Sequence, residues 1–432
     1  MQTRECPVLA EEDRPLLDRL ALGTSESAAR VLGYLLLRES DPTFAGDPAT
    51  RLDIRVGTGA SRSAVSDALS TLDDRGLVTS TTVDRDRSGR PPRAWRAKWG
   101  TRETLDHLYA THAASLLERG VAVTDETWST ALDAGSVAGA RPAGGDLAVG
   151  LNWRPNVLHA PILAAREVGG FAARDLSVSV DPFEGSGLAI DALLAGDVAV
   201  AVCGAATAVG ARATGAELVP LAPVYQRAMT VLYTTREVFG GPLDSVEDLR
   251  GRRVGLPEGS EMGLLGRLFL SQSGVLDDLT VVDVAGEERT ALEAGHADVV
   301  TGTFRDPGAL PADDRVDVLT LADHFPLYGP TLVTTEDAVE ARPGELVAFL
   351  AGVLRGQEVV VTDPERAVRA VATLAVGGAG RAERRAADLR EATERFGESA
   401  AVADHGWGWH RPEEWRRLTT ALRQAGLVGG RA

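Results

Sequence analysis

The residues with the clearest chemical capacity lie in segment 151–159, where aromatic, amide and imidazole side chains follow a short apolar run. Trp153 offers a flat face for stacking a heteroaromatic ring, while Asn152, Asn156 and His159 can hydrogen-bond ring nitrogens or their substituents. A tryptophan between polar neighbours at a strand end usually lines a surface or a cleft, and the alternative is a place in the core. The segment predicts a site for a planar, nitrogen-containing molecule.

A second group of candidate binding residues lies in segment 258–263, between a strand-like run and a helix-like run. Ser260 and the backbone N–H groups of a helix start suit an anion or a polar substituent, whereas Glu258 or Glu261 suits an amine. The alternative is an ordinary capped turn between a strand and a helix. The remaining residues predicted to line the cleft are Phe183, Glu184, Ser186, Gly204, Thr303 and Tyr328.

Basic residues are concentrated between positions 51 and 102, where eleven of them face six aspartates in a chain of net charge −17. Such a local excess is typical of a surface that faces phosphates. Arg62, Ser63 and Ser66 are predicted to lie on the open face of a short helix, with Arg62 placed for a base or phosphate contact. A charged turn is predicted to bring further arginines to phosphates or a minor groove, unless they only solvate a loop: Arg85, Arg87, Arg90 and Arg93.

The apolar pattern predicts the elements that would position these basic residues. A first helix covers about 28–37, a short helix covers 49–56, and a glycine turn at 57–60 leads to a helix that Ser61 can cap. In that last helix the apolar residues recur at i, i+3, i+4 and i+7, and a hairpin follows over 77–95. This order resembles winged-helix regulators of the TrmB and MarR kind over roughly residues 15–118. The resemblance implies a DNA-binding domain over residues 1–120.

The segment that follows the hairpin is predicted to be an amphipathic helix over 101–117. In regulators of the resembled kind such a helix often pairs two subunits, so we expect a homodimer on a two-fold symmetric, double-stranded operator. Residues 121–146 are rich in small side chains and are predicted to form a linker.

From residue 146 onward, short apolar runs alternate with helical patterns, which predicts α/β layers. The predicted strands cover 147–151, 176–180, 198–202, 217–220, 231–234, 253–256, 280–284, 299–301 and 332–334. A ligand would then bind in a crevice beyond the carboxyl ends of the strands.

The motif Asn-Trp-x-Pro-Asn-x-x-His at 152–159 resembles the opening of two-lobed binding proteins related to the thiamine-pyrimidine precursor synthases. Segments 193–198, 249–255, 362–367 and 406–408 keep the order of that family, and 183–187 is also similar to the more distant sulfonate-binding relatives of the SsuA type. The resemblance implies a type II periplasmic-binding-protein-like domain over 147–432. Its first lobe would comprise 147–234 and 327–432, and its second lobe 235–326.

The catalytic groups of the resembled synthases are missing from this chain. Cys203 and Thr207 stand where that family has a lysine and a histidine, and residues 328–333 stand where it has a cysteine cluster. The only lysine is Lys98, in the N-terminal part, so no Schiff base can form in the C-terminal domain. We therefore expect no enzyme activity, no cofactor and no metal site.

The two predicted domains together indicate a DNA-binding transcriptional regulator that responds to a small molecule. A thiamine-related aminopyrimidine is the first choice of effector, and a sulfonate or other small anion is the alternative. A transport binding protein and a pyrimidine-precursor biosynthetic enzyme are the alternatives to a regulator. No long apolar run and no signal-like N-terminus is present, so we expect a cytoplasmic protein without a membrane partner.

Overall fold

The computed structural model describes residues 8–83, 91–130, 132, 134–284, 286–311, 315–324, 327–373 and 382–429. The N-terminal elements are α1 (Arg14–Ala21), α2 (Glu26–Ser40), β1 (Ala49–Thr50), α3 (Arg51–Thr58), α4 (Arg62–Asp74), β2 (Val78–Thr82), β3 (Arg93–Ala97) and α5 (Thr101–Trp128). Then follow α6 (Ala134–Val137), β4 (Gly145–Leu151), α7 (Ala160–Glu167), β5 (Leu176–Pro182), α8 (Ser186–Ala195), β6 (Val200–Gly204), α9 (Ala205–Ala213) and β7 (Leu218–Pro223). The middle of the chain forms β8 (Thr230–Thr235), α10 (Arg236–Phe239), β9 (Arg253–Leu256), α11 (Glu261–Gln272), β10 (Thr280–Asp283), α12 (Glu288–Glu293), β11 (Val299–Thr303), β12 (Val316–Thr320) and β13 (Pro330–Thr335). The last helices are α13 (Glu336–Ala341), α14 (Pro343–Thr362), α15 (Pro364–Ala372), α16 (Ala382–Phe396), α17 (Ala400–His405) and α18 (Pro412–Gln424).

The N-terminal unit packs α2, α3 and α4 against a small antiparallel sheet of order β1-β3-β2. Helix α4 begins as predicted, because Ser61 Oγ accepts a hydrogen bond from the backbone N–H of Ala64 at 3.2 Å. Its predicted apolar face is buried. Between α3 and α4 the chain turns at Gly59, whose φ of 69° is left-handed and favours glycine. The charged turn that follows β2, with Arg85, Arg87 and Arg90, lies outside the described residues.

The C-terminal part consists of two lobes, each built on a five-stranded sheet covered by helices, as predicted. The first sheet has the order β5-β4-β6-β13-β7 and the second has the order β10-β9-β11-β8-β12. Each predicted strand overlaps an observed one, whereas β12 was not predicted. The predicted end of the first lobe at residue 234 is wrong, because β8 pairs antiparallel with β11 and β12 in the second sheet.

Helix α5 joins the N-terminal unit to the first lobe and corrects two predictions. It runs without interruption to Trp128, so the first eight residues of the predicted linker are helical. It also packs against α14 and β7 of the first lobe, and its apolar residues are buried within the same chain. The apolar stripe that we assigned to a dimer interface is therefore already covered.

The loop after α17 completes the junction between the two units. The backbone N–H of Trp407 donates to Leu22 O at 2.9 Å, and His112 Nε2 lies 2.7 Å from Trp407 O. Arg119 Nε donates to His410 O at 2.8 Å. One hydrophobic cluster continues from α2 through α5 into α14 and the first sheet, so the N-terminal unit and the first lobe share a core. Within the described residues, no helix has both the length and the apolar character needed to cross a membrane.

Candidate functional site

The candidate site lies at the carboxyl edge of the first lobe's parallel strands. β4 pairs in parallel with both β5 and β6, so the residues that follow these strands meet at one edge. Asn152 follows β4, Phe183 follows β5, and Gly204 ends β6. Phe183 packs over this edge, since a Cβ added at Gly150 would lie 3.1 Å from its ring.

A hydrogen-bond network connects three of the predicted site residues with His159. His159 Nε2 lies 3.0 Å from Asn152 Oδ1, and Asn152 Nδ2 donates to Ser186 Oγ at 3.4 Å. The backbone N–H of Gly204 donates to the same hydroxyl oxygen at 3.0 Å. The strand ends of β4 and β6 and the start of α8 are thus tied together by side chains.

The protonation state of His159 follows from its partners. The backbone N–H of Asn156 points at Nδ1 at 3.4 Å, so Nδ1 accepts and the ring hydrogen sits on Nε2, facing the amide oxygen of Asn152. Burial lowers the pKa of His159 to about 4. The imidazole is therefore neutral at pH 7 and holds the Asn152 amide in one orientation, with its nitrogen towards Ser186.

Trp153 and Asn156 take different roles in the same segment. Trp153 is 51% exposed and is the aromatic residue among the exposed large hydrophobic residues of the described chain, which excludes the core alternative. Asn156 builds the turn instead: its Oδ1 accepts from Leu158 N–H at 2.9 Å and its Nδ2 donates to Arg154 O at 3.0 Å. Glu184 pairs with Arg154 at 3.2 Å on the surface.

Glu261 reaches from the second lobe to the first. It is the first residue of α11, and its carboxylate accepts hydrogen bonds from Ala206 N–H at 3.1 Å, from Thr207 N–H at 2.8 Å and from the Thr207 hydroxyl. These donors form the first turn of α9, where backbone N–H groups favour a negative charge. A Cβ on Gly204 would clash with Glu261, so the strand end must be glycine for this approach. Burial raises the pKa of Glu261, and the three hydrogen bonds oppose that change.

Three other predicted residues of the second lobe serve local structure. Ser260 caps α11, because its hydroxyl accepts from Gly263 N–H at 3.0 Å and donates to Pro257 O at 2.9 Å. The hydroxyl and the N–H of Thr303 both donate to Asp306, at 3.0 and 2.6 Å. Glu258 is exposed on the turn before α11. For Ser260 the capped-turn alternative is therefore the observed one.

Tyr328 is not a cleft residue. Its side chain is buried, its ring lies 5.4 Å from that of Trp415, and its hydroxyl accepts from the backbone N–H of Arg411 at 2.9 Å. The prediction failed because Tyr328 belongs to a hydrophobic cluster that links α18 to both lobes.

Sequence reasoning missed the contacts that α16 makes with the second lobe. Arg305 Nε donates to Asp388 at 2.9 Å, and the rings of Phe304 and Phe396 lie 5.1 Å apart. Helix α16 also contacts the turn that contains His159. More than eighty residues separate these partners in the chain, and no local pattern in the sequence connects them.

The predicted DNA-facing residues fall into three groups. Arg62 and Ser63 are exposed at the start of α4, and Ser66 is half-buried. Arg93 donates to Asp73 at 3.2 Å and to Ser80 at 2.7 Å, so its guanidinium already has partners within the chain. The arginines at 85, 87 and 90 belong to the segment that is not described.

Nothing in the described part of the chain gathers three or more metal-ligating side chains. Cys203 is buried at the end of β6, and burial raises the pKa of its thiol well above the usual range. Among the described residues of this site, the groups available to a ligand are thus an aromatic face, an amide, hydroxyls and one carboxylate.

Residues 156–367 match the family model described as NMT1/THI5 like. The C-terminal part of the chain is therefore similar to the NMT1/THI5-like family and has the two-lobed fold of the periplasmic-binding-protein type. A riboflavin-binding protein, RibY of Chloroflexus aurantiacus, is 25% identical over 319 residues, which cover 71% of this chain and 88% of the relative. A formylaminopyrimidine-binding protein of Halalkalibacterium halodurans is 26% identical over 238 residues, or 52% of this chain and 68% of the relative.

Solved structures show the same fold for the C-terminal part of the chain. The periplasmic aliphatic sulphonate binding protein SsuA of Escherichia coli superposes with a TM-score of 0.52 at 17% identity, covering 67% of this chain and 96% of that one. The alkanesulfonate-binding protein SsuA of Xanthomonas axonopodis pv. citri gives a TM-score of 0.51 at 18% identity, again over 67% and 96%. These relatives are named for binding, not for catalysis. The family match lies wholly within the C-terminal part.

Proposed function

We propose that this protein is a DNA-binding transcriptional regulator whose NMT1/THI5-like domain senses a small nitrogen heterocycle. The observation that carries the proposal is the shared core: a unit with an exposed basic helix start is packed through α5 onto the lobe that holds the candidate site. A DNA reader and a ligand domain in such contact can influence each other's binding free energy.

The N-terminal unit supports DNA binding through its order of elements. The helix pair α3–α4, joined by a glycine turn and followed by a β-hairpin, is the order of a winged helix-turn-helix, in which the second helix enters the major groove. Arg62 and Ser63 lie exposed on the first turn of that second helix. The double-stranded operator would be reached in the cytoplasm. A homodimer belongs to the proposal, but its contact must come from a surface other than the apolar face of α5.

The cleft supports a planar heterocycle as the ligand. Trp153 supplies an open aromatic face beside the Asn152–Ser186 network, and the two relatives above are named for riboflavin and a formylaminopyrimidine, both nitrogen heterocycles. The anion-favouring start of α9 is occupied by Glu261, so a sulfonate would have to displace a tethered carboxylate. A ligand N–H group would instead find an acceptor there. We propose an aminopyrimidine of the thiamine type.

Binding without conversion is part of the proposal. The C-terminal domain has no lysine that could form a Schiff base, and its one cysteine is a buried thiol. The described residues of the site offer contacts for recognition, and Asn152, Ser186 and Glu261 are the polar groups that we assign to it.

A thermal-shift titration of the full chain tests the ligand. We expect a formylaminopyrimidine to raise the melting temperature in a saturable way, since about hundredfold excess over Kd stabilises by about 2.7 kcal/mol. Trp153→Ala should lose this response. Leu194→Ala, which removes a side chain of similar exposure at the far end of α8, should keep it. Stabilisation by alkanesulfonates alone would replace the heterocycle with an anion.

A separate measurement on the full chain tests DNA binding. Fluorescence anisotropy with duplexes selected from a random library should show binding by the wild type, and Arg62→Gln should weaken it and lower the salt dependence by about one counterion. If no duplex were selected from the library while the ligand still raised the melting temperature, the DNA-binding part of the proposal would be wrong. The protein would then be a ligand-binding protein without a regulatory role.

A further inference from the structure

A second cavity lies outside the cleft, where α5 crosses α14 and the turn that follows α7. It encloses about 640 Å³, and its charged lining residues come from both units: Arg102, Asp106, Arg174, Arg355, Glu358 and Arg366. Four guanidinium groups therefore face two carboxylates, although the protein as a whole has a net charge of −17. The charge of this pocket is opposite in sign to that of the molecule.

Arg174 is the most deeply placed of these cations. Its side chain is only 9% exposed, and Asp106, the carboxylate that faces it, is 3.9 Å away. Asp106 already accepts a hydrogen bond from Arg355 at 2.7 Å. Glu358 is likewise shared between Arg355 at 2.6 Å and Arg19 at 2.7 Å. Arg366 pairs with Glu167 at 3.3 Å, and Arg174 also donates to Gly170 O at 2.7 Å. With Arg19 and Glu167 counted, five guanidinium groups share three carboxylates, and a largely buried positive charge without full compensation costs free energy.

We propose that this junction pocket binds a phosphate group, either as inorganic phosphate or at the end of a small phosphomonoester. Guanidinium groups hydrogen-bond phosphate oxygens in pairs. A phosphate group carries about −1.5 to −2 charges at pH 7, which matches the excess of two positive charges that five arginines leave over three carboxylates at this junction. A carboxylate ligand would compensate only half of that excess. The site is separate from the cleft, and the inference holds whichever ligand the cleft takes.

The position of the pocket gives the bound phosphate a role at the junction. Arg102 and Asp106 belong to α5, whereas Arg174, Arg355 and Arg366 belong to the first lobe. A phosphate held by both sides fastens the N-terminal unit to the lobe. Because it binds only the folded junction, it stabilises the protein by mass action.

Isothermal titration calorimetry of the full chain with inorganic phosphate and with glycerol phosphate, at constant ionic strength, tests the site. We expect saturable binding with a stoichiometry of about one, because one phosphate group neutralises the excess positive charge of the pocket. Binding should be about tenfold or more weaker in Arg174→Met and in Arg102→Gln. Arg417→Gln removes an exposed arginine that pairs with Glu414 on α18, and it should bind as the wild type does. Tighter binding of glycerol phosphate would identify an ester as the ligand, and tighter binding of inorganic phosphate the free ion.

Arg174 is buried, so Arg174→Met can fail to fold. Arg102 is exposed, and Arg102→Gln keeps the test decisive because its melting curve should match that of the wild type without phosphate. Heats that do not saturate, or an affinity in Arg102→Gln equal to that in Arg417→Gln, would overturn the proposal.

Discussion

Glu261 shows how a single side chain connects the two lobes. Its carboxylate is enclosed at the start of α9 and accepts three hydrogen bonds from Ala206 and Thr207. Burial destabilises the ionised carboxylate by more than these hydrogen bonds stabilise it, since the pKa of Glu261 lies above its usual value. The enclosed position of Glu261 is therefore less favourable for the ionised carboxylate than for the protonated carboxyl group.

The raised pKa of Glu261 predicts how stability depends on pH. A carboxyl whose pKa is higher in the folded than in the unfolded protein stabilises the fold at low pH, and this contribution is lost as the pH rises through the folded-state pKa. Glu261→Gln keeps an oxygen acceptor but cannot ionise. We expect the melting temperature of the wild type to increase relative to that of Glu261→Gln as the pH falls from about 7 to about 4.5.

Glu258→Gln is the matched control for the pH experiment. Glu258 lies three positions before Glu261 but is exposed, so its removal should leave the pH dependence of the melting temperature as in the wild type. Parallel curves for the wild type and Glu261→Gln across this range would contradict the enclosed carboxylate.

At the scale of elements, α5 is held against β7 by the absence of a side chain at Gly120. A Cβ there would lie 2.6 Å from Pro220 O and 3.3 Å from a methyl group of Val219. Because the first contact is with backbone, the strand cannot yield by a rotamer change. We expect Gly120→Val to push α5 from the first lobe and to destabilise the protein by about 1–3 kcal/mol in urea unfolding.

Gly187 provides the control for α5, since it is also a helical glycine but has open space around its Cα. Gly187→Ala should stabilise the protein by about 0.4–1 kcal/mol through the unfolded state. If Gly120→Val were as stable as the wild type, the close packing of α5 on β7 would not hold α5 in place.

Local patterns predicted elements better than they predicted partners. The cap Ser61 and the apolar spacing from Val65 to Leu72 located α4, because both signals act within one helix. The stripe of α5 was also visible, but an apolar face does not say what covers it, and the first lobe covers it here. β12 was missed because Asp317 interrupts its apolar run between Val316 and Val318.

The candidate site was predicted only in part, for the same reason. Asn152, Trp153 and His159 are close in the chain, and their motif predicted a local group in which Asn152 and His159 are hydrogen-bonded. The docking of Glu261 on Thr207 joins residues 54 positions apart. Tyr328 was misplaced because its burial against Trp415 depends on how α18 returns to the lobes. The surroundings of Glu261 and Tyr328 depend on tertiary contacts, and the periodicity of the sequence does not encode these contacts.

At the scale of the whole molecule, α18 contacts α5 and both lobes. It packs on the end of α5, on α9 of the first lobe and on α11, the helix that begins with Glu261. The same hydrophobic cluster contains Val123 of α5 and Phe269 of α11. α5 and the first lobe share a core. In the proposed function, closure of the lobes would move the second lobe against both, and α18 contacts α11 of the second lobe as well as the end of α5.

This arrangement predicts that Trp128 couples the cleft to the N-terminal unit. Trp128 ends α5, its ring lies 5.9 Å from that of Trp415 on α18, and the Arg212 guanidinium lies 4.8 Å from its centre. We expect Trp128→Ala to bind a formylaminopyrimidine within a few-fold of the wild type, yet to lose about 0.5–2 kcal/mol of the coupling between this ligand and DNA. Affinities for selected duplexes with and without ligand give the coupling, and Leu194→Ala should retain it. If the coupling free energy between ligand and DNA were the same in Trp128→Ala as in the wild type, Trp128 would not carry the coupling. Another contact between α5 and the lobes would then have to carry it.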